Sequence, residues 1–107
     1  MERKKTMTIS LKPETWVYVA VMDPGGNEQF VGLVDDDETS FIPAFQTKDE
    51  AQTCLINMPR EKNKKYEVQA ILYEELERDA VLNGFRIYIL DGQGRILEKA
   101  DTAGKTM

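Results

Sequence analysis

A chain of 107 residues with 41% hydrophobic and 31% charged residues has the balance of one folded domain. Two domains would leave each half too small for a core of its own. The formal net charge of -5, from 19 acidic and 14 basic residues, argues against a general nucleic-acid binder, whose affinity rests on Lys and Arg neutralising phosphates. With no histidine and a single cysteine, Cys54, the chain excludes an intrachain disulfide, a Cys-rich metal cluster and any His-based catalytic triad.

Residues 1–14 are polar, basic at Arg3, Lys4 and Lys5 and interrupted by Pro13, and are expected to form a flexible lead with a short extended piece at Thr8-Ile9-Ser10-Leu11. The lead has no apolar run, and no stretch nears the ~20 apolar residues of a membrane helix. Residues 16–22 are rich in β-branched and aromatic side chains on both faces, which predicts a central strand. Asp23-Pro24-Gly25-Gly26-Asn27 is a turn, and residues 30–34 alternate as a second strand paired in a hairpin with the first. The run Asp35-Asp36-Asp37-Glu38 forms the next turn. Phe41, Ile42 and Phe45 mark a short third strand, with Pro43 at an edge or strand end.

Thr47 followed by Glu50 is a capping box: the hydroxyl can accept from the Glu50 amide, and the carboxylate can reach back to the Thr47 amide. Ala51, Cys54, Leu55 and Met58 then recur at i, i+3, i+4 and i+7, the buried stripe of a helix stopped by Pro59. A polar loop over 59–65 carries Arg60, Lys62, Lys64 and Lys65. Residues 66–72 read as a fourth strand. A second helix over 74–83 turns Tyr73, Leu76 and Ala80 inward and ends at Gly84. A fifth strand over 85–90 turns at Asp91-Gly92-Gln93-Gly94 into a last strand over 95–99.

The order β-β-β-α-β-α-β-β predicts an α+β fold, a mostly antiparallel sheet of five to six strands with two helices on one face. The folded domain spans 15–100, between the lead at 1–14 and a flexible tail at 101–107.

No constellation reads as a reactive site. Cys54 lies on the apolar stripe, where burial raises a thiol pKa and a core role is favoured. The acidic run 35–38 could gather a hard cation, but it lacks the alternating spacing and central glycine of a calcium loop, so a solvated turn is favoured. Glu74, Glu75, Glu77 and Asp79 lie on an outer helix face, without the burial that tunes a carboxylate for proton transfer. The glycine turns at 24–26 and 92–94 join strand to strand, whereas phosphate cradles join strand to helix. The expectation is therefore no enzyme, no cofactor and no metal.

The segment 41–51 resembles the apolar-Pro-x-Phe-x-[Ser/Thr]-x-x-Glu-Ala pattern of SseB-like and related small bacterial α+β domains of unknown function, on Ile42, Pro43, Phe45, Thr47, Glu50 and Ala51. The β-β-α-β-α-β order around it is similar as well. The resemblance implies a cytoplasmic bacterial domain with no assigned catalysis, and it brings no catalytic residue.

Two helices would cover one sheet face and leave apolar side chains of the other exposed. Trp16, Tyr18, Met22, Tyr88 and Leu90 are the candidate interface, for a homodimer or for another protein. The expected function is thus a non-enzymatic interaction module. The alternative is a small-ligand or RNA-binding regulatory domain that uses the sheet face and the basic patch Arg60, Lys62, Lys64 and Lys65.

Overall fold

A computed structural model describes residues 11–58 and 62–100. Most of the expected lead, the tail, Pro59 and Arg60 lie outside the described residues. The elements in chain order are β1 (Trp16–Met22), β2 (Gln29–Phe30), β3 (Leu33–Val34), β4 (Ser40–Phe45), α1 (Lys48–Asn57), β5 (Tyr66–Leu72), α2 (Tyr73–Asn83), β6 (Arg86–Leu90) and β7 (Ile96–Ala100). The protein is α+β, with two helices and a mostly antiparallel, mixed sheet of seven strands among the described residues. No helix among those residues is long and apolar enough to cross a membrane.

β1 is the hub of the sheet. Along one edge it pairs with all of β5, from Trp16 opposite Leu72 to Met22 opposite Tyr66. Along the other it meets β4 at Tyr18–Phe45 and Val19–Ala44, then β2 at Val21–Phe30 and Met22–Gln29. β4 likewise takes β3 at Leu33–Phe41 on its β1 side, and pairs in parallel with β6 on its other edge. The second strand predicted over 30–34 is therefore two short strands wedged between β1 and β4. Those two strands stay paired for two residues and then diverge, so one intervening segment satisfies each open edge in turn. The Val31 amide still donates to the Ala20 carbonyl at 2.9 Å. At Gly32 the backbone runs against the Phe85 ring, where a Cβ would sit 2.8 Å from Cε1. The spatial order is β5-β1-(β2, β3)-β4-β6-β7, with β7 closing antiparallel on β6.

The two helices do not share a face, contrary to the sequence-based expectation. β4 and β5 are both antiparallel to β1, so α1 joins parallel strands while crossing β1 in one direction. α2 joins β5 to β6, parallel to it, crossing back the other way. Right-handed crossovers that travel in opposite directions place their helices on opposite faces. The two cores follow. Under α2, Tyr73, Leu76 and Ala80 pack on Val17, Val19, Val21, Ile42, Ile87 and Ile89. Under α1, Ala51 and Cys54 pack on Phe41, Phe45, Tyr88 and Leu90, with Tyr18 and Val68 alongside.

Thr47 caps α1 as predicted, its hydroxyl accepting from the Glu50 amide at 3.1 Å. The reciprocal arm differs: the Glu50 carboxylate meets the Thr47 hydroxyl at 3.4 Å rather than the Thr47 amide. Thr47→Ala is expected to cost about 1 kcal/mol, the usual value of a lost N-cap, measured as a lower urea midpoint at unchanged slope. α2 ends as predicted at Gly84, with φ 78° and its amide bonded back into the last turn.

The start of α2 is tied to the segment just before β1. Its N-cap, Leu72, offers no side-chain acceptor. Instead the Thr15 carbonyl accepts from the Tyr73 amide at 2.8 Å, and the Pro13 carbonyl accepts from the Glu74 amide at 3.0 Å. Pro13 and Thr15 thus supply acceptors for otherwise unmet helix donors, and Leu11 packs on the α2-side core.

Candidate apolar groove beside α1

α1 packs over β5, β1 and β4 and leaves the β6-β7 end of its face thinly covered. A groove of about 490 Å³ opens there. Phe41, Leu90 and Cys54 lie in it, and Leu33, Val34, Met58 and Ile96 are among the residues around it. Val34 on β3 is 64% exposed, and on β7 Ile96 is 43% and the adjacent Leu97 44% exposed, so apolar side chains reach solvent at the groove and along the β7 edge.

Beneath the groove, Tyr88 is held from three directions. Its ring stacks on Phe41 with centroids 4.3 Å apart at 16°. Lys99 Nζ lies 5.2 Å from its centroid, on the neighbouring strand. Its hydroxyl donates to Asp35 Oδ2 at 2.7 Å. Asp35 Oδ1 in turn accepts from the Asp37 and Thr39 amides, at 2.8 and 3.0 Å. One carboxylate therefore organises the whole acidic turn and ties it to the core, while Asp36, Asp37 and Glu38 stay exposed. Among the described residues, no three His, Cys, Asp or Glu side chains are grouped so as to hold a metal ion.

The Tyr88 hydrogen bond, with the Thr39 amide next in importance, holds the Asp35 carboxyl below the usual aspartate range. The same bond, reinforced by desolvation, pushes the Tyr88 hydroxyl above the usual tyrosine range. A depressed folded-state carboxyl stabilises the fold above the unfolded aspartate value, and that contribution is lost as pH falls through the folded value. A raised tyrosine acts at the other end, its contribution being lost as pH rises through its folded value. In urea melts between pH 2 and 6, Tyr88→Phe is therefore expected to lose less stability on acidification than the parent. Equal acid sensitivity would show that this pair does not set it.

Cys54 is buried as its place on the helix stripe predicts, and desolvation, aided by the Asp91 charge, raises its thiol pKa. That disfavours the thiolate a nucleophile requires. On α2, Glu74 lies 3.7 Å from Arg78, with both side chains largely in solvent.

The expected interface residues do not form one surface. Trp16 is 58% exposed and Tyr18 and Met22 are half-buried, whereas Tyr88 and Leu90, 2% and 3% exposed, lie in the core beneath α1. With a helix on each face, no whole sheet face is left open. In the expected basic patch, Lys62, Lys64 and Lys65 are exposed and Arg60 lies outside the described residues. Lys64 Nζ is 3.2 Å from Asp23 Oδ2.

The chain matches no family model, no curated protein and no solved structure.

Sequence reasoning missed Val34, Ile96 and Leu97. The signal was two apolar neighbours, Ile96-Leu97, in a strand that needed only one to face the core. The register of β7 on β6 shifts between Ile89 and Leu90, interrupting the regular alternation of β7 beside Ile96 and Leu97.

Proposed function

We propose that this protein is a non-enzymatic interaction module that associates with a second copy of itself through the β7 edge and the groove beside α1. The observation that carries this reading is that exposed Val34 and Ile96 border one groove, with exposed Leu97 next to Ile96 on β7. A contiguous apolar patch on a small domain marks an interaction surface. β7 is also the outermost strand on its side among the described residues, so its free edge can take a further strand. A two-fold axis would pair β7 with β7 antiparallel and set Ile96 and Leu97 of each copy over the groove of the other, the self-complementary contact of an isologous dimer.

Light scattering across a hundredfold range of concentration tests it: a dimer mass that falls toward the monomer on dilution is expected, and a monomer throughout would overturn the proposal. The nucleic-acid alternative has less behind it. Its three described lysines face a net acidic protein, and Lys64 is engaged by Asp23. A free, buried Cys54 suits a reducing compartment such as the cytoplasm.

A further inference from the structure

On the other face of the sheet, a second groove of about 760 Å³ opens beside α2, an ordinary size for a small-molecule site. Val19, Val21 and Phe30 give it an apolar side. Its helix side carries Glu75, Asp79 and Asn83, each one turn beyond the last, and Glu28 lines it from the residue before β2. None of the described residues that line it is cationic. Arg78, beside this row, is engaged by Glu74, and Lys64, on the loop into β5, by Asp23.

We propose that this groove binds a linear aliphatic polyamine. Its hydrogen-bonding polarity suits such a ligand, since an ammonium group donates and cannot accept. Asn83 Nδ2 already donates to the Asp79 carbonyl and Gln69 Nε2 to Glu67 Oε2, each at 2.9 Å. The groove therefore offers two amide oxygens beside the carboxylates of Glu75, Asp79 and Glu28. Spacing narrows the choice further. Glu75 and Asp79 stand about 6 Å apart along the helix, close to the interval between ammonium groups joined by propylene or butylene spacers. The methylenes between them would lie on the apolar side. A bound metal ion instead needs its ligands to converge on one point, and among the described residues no three such side chains do. The helix adds to the charge: α2 ends at Asn83 with no basic residue in its last turn, so the negative end of its dipole reinforces the carboxylates.

The inference concerns the face away from the α1 groove and stands whether or not the chain dimerises. The test is calorimetric titration of the full chain with spermidine in about 0.1 M salt, where charges more than about 10 Å apart are largely screened. Saturable binding is expected, with NMR shifts at Val19, Val21 and Phe30. Glu75→Gln combined with Asp79→Asn keeps the shape of both side chains and should weaken binding at least about fivefold, the scale of two exposed ion pairs. Asp36→Asn combined with Asp37→Asn removes the same charge from the turn at the other groove and should change it by less than about twofold. Hexaamminecobalt(III), with the charge of spermidine and no methylenes, should bind more weakly and leave the three resonances in place. Absence of saturable binding, unmoved groove resonances, equal effects of the two variant pairs or equal binding of the cobalt complex would each overturn the proposal. Groove resonances that move with protein concentration but not with spermidine would overturn it in favour of a second copy seated there.

Discussion

Replacing Phe45 by alanine is expected to lower the unfolding free energy by about 3–5 kcal/mol, the range for deleting a fully buried aromatic side chain. Phe45 is 1% exposed and is among the largest fully buried side chains in the protein. It sits where β4 first meets β1, opposite Tyr18, and shares a core with Ala51 and Cys54 of α1. Truncation would open a cavity at the joint between sheet and helix, and two rigid neighbours limit how far that cavity can collapse. The Phe41–Tyr88 stack is pinned by Asp35, and α1 is anchored by its Thr47 cap. A domain of this size has roughly 5–15 kcal/mol to lose, so the variant should be partly unfolded at 37 °C or close to it. Urea melts followed by circular dichroism give the number directly. A loss under about 1.5 kcal/mol would mean that the α1-side core is loosely packed, contrary to the burial described.

Features set by neighbours in sequence were legible. The Thr47 cap, the Ala51-Cys54-Leu55 stripe and the Gly84 stop each depend on residues within one or two helical turns, and each stands where local chemistry places it. Features set by chain direction were harder to read. Strand 16–22 is apolar on both faces, which calls for a cover on each, and the protein meets it with one helix per face. Assigning both helices to one side ignored the handedness of the two crossovers, and so left Tyr88 and Leu90 as surface residues when they belong to a core. The split of β2 from β3 depends on where β1 and β4 diverge, and no local pattern encodes that. The Tyr88–Asp35 bond joins residues 53 positions apart, and nothing near Asp35 separates it in sequence from Asp36 and Asp37. One missed link did leave a trace. A helix preceded by Leu72, which cannot cap it, must find acceptors elsewhere, and Pro13 and Thr15 provide them.

Ile96→Lys combined with Leu97→Lys is expected to weaken self-association at least about 100-fold while leaving the monomer folded. Two buried anchors at an interface each contribute 2 kcal/mol or more when truncated, and tenfold in affinity corresponds to about 1.4 kcal/mol. Two-fold symmetry places both substitutions in the contact twice. Lysine adds a further penalty, because a charge on an edge strand opposes strand-to-strand pairing. Within the monomer the cost should be small, since both side chains are more than two-fifths exposed and Ile96 lies on the rim of the groove rather than in the core. Surface changes of that kind usually fall within about 0.5 kcal/mol, so the melting temperature of the monomer should move by only a few degrees. The control is Trp16→Lys on β1, whose neighbours in the sheet are β5, β4 and β2 rather than β7. Trp16 is the more exposed residue at 58%, so if exposure alone drove association it would be the more damaging change. An unchanged dimer mass for Trp16→Lys beside a monomer for Ile96→Lys/Leu97→Lys assigns the contact to the β7 edge, and the reverse pattern would move it to the Trp16 side of β1.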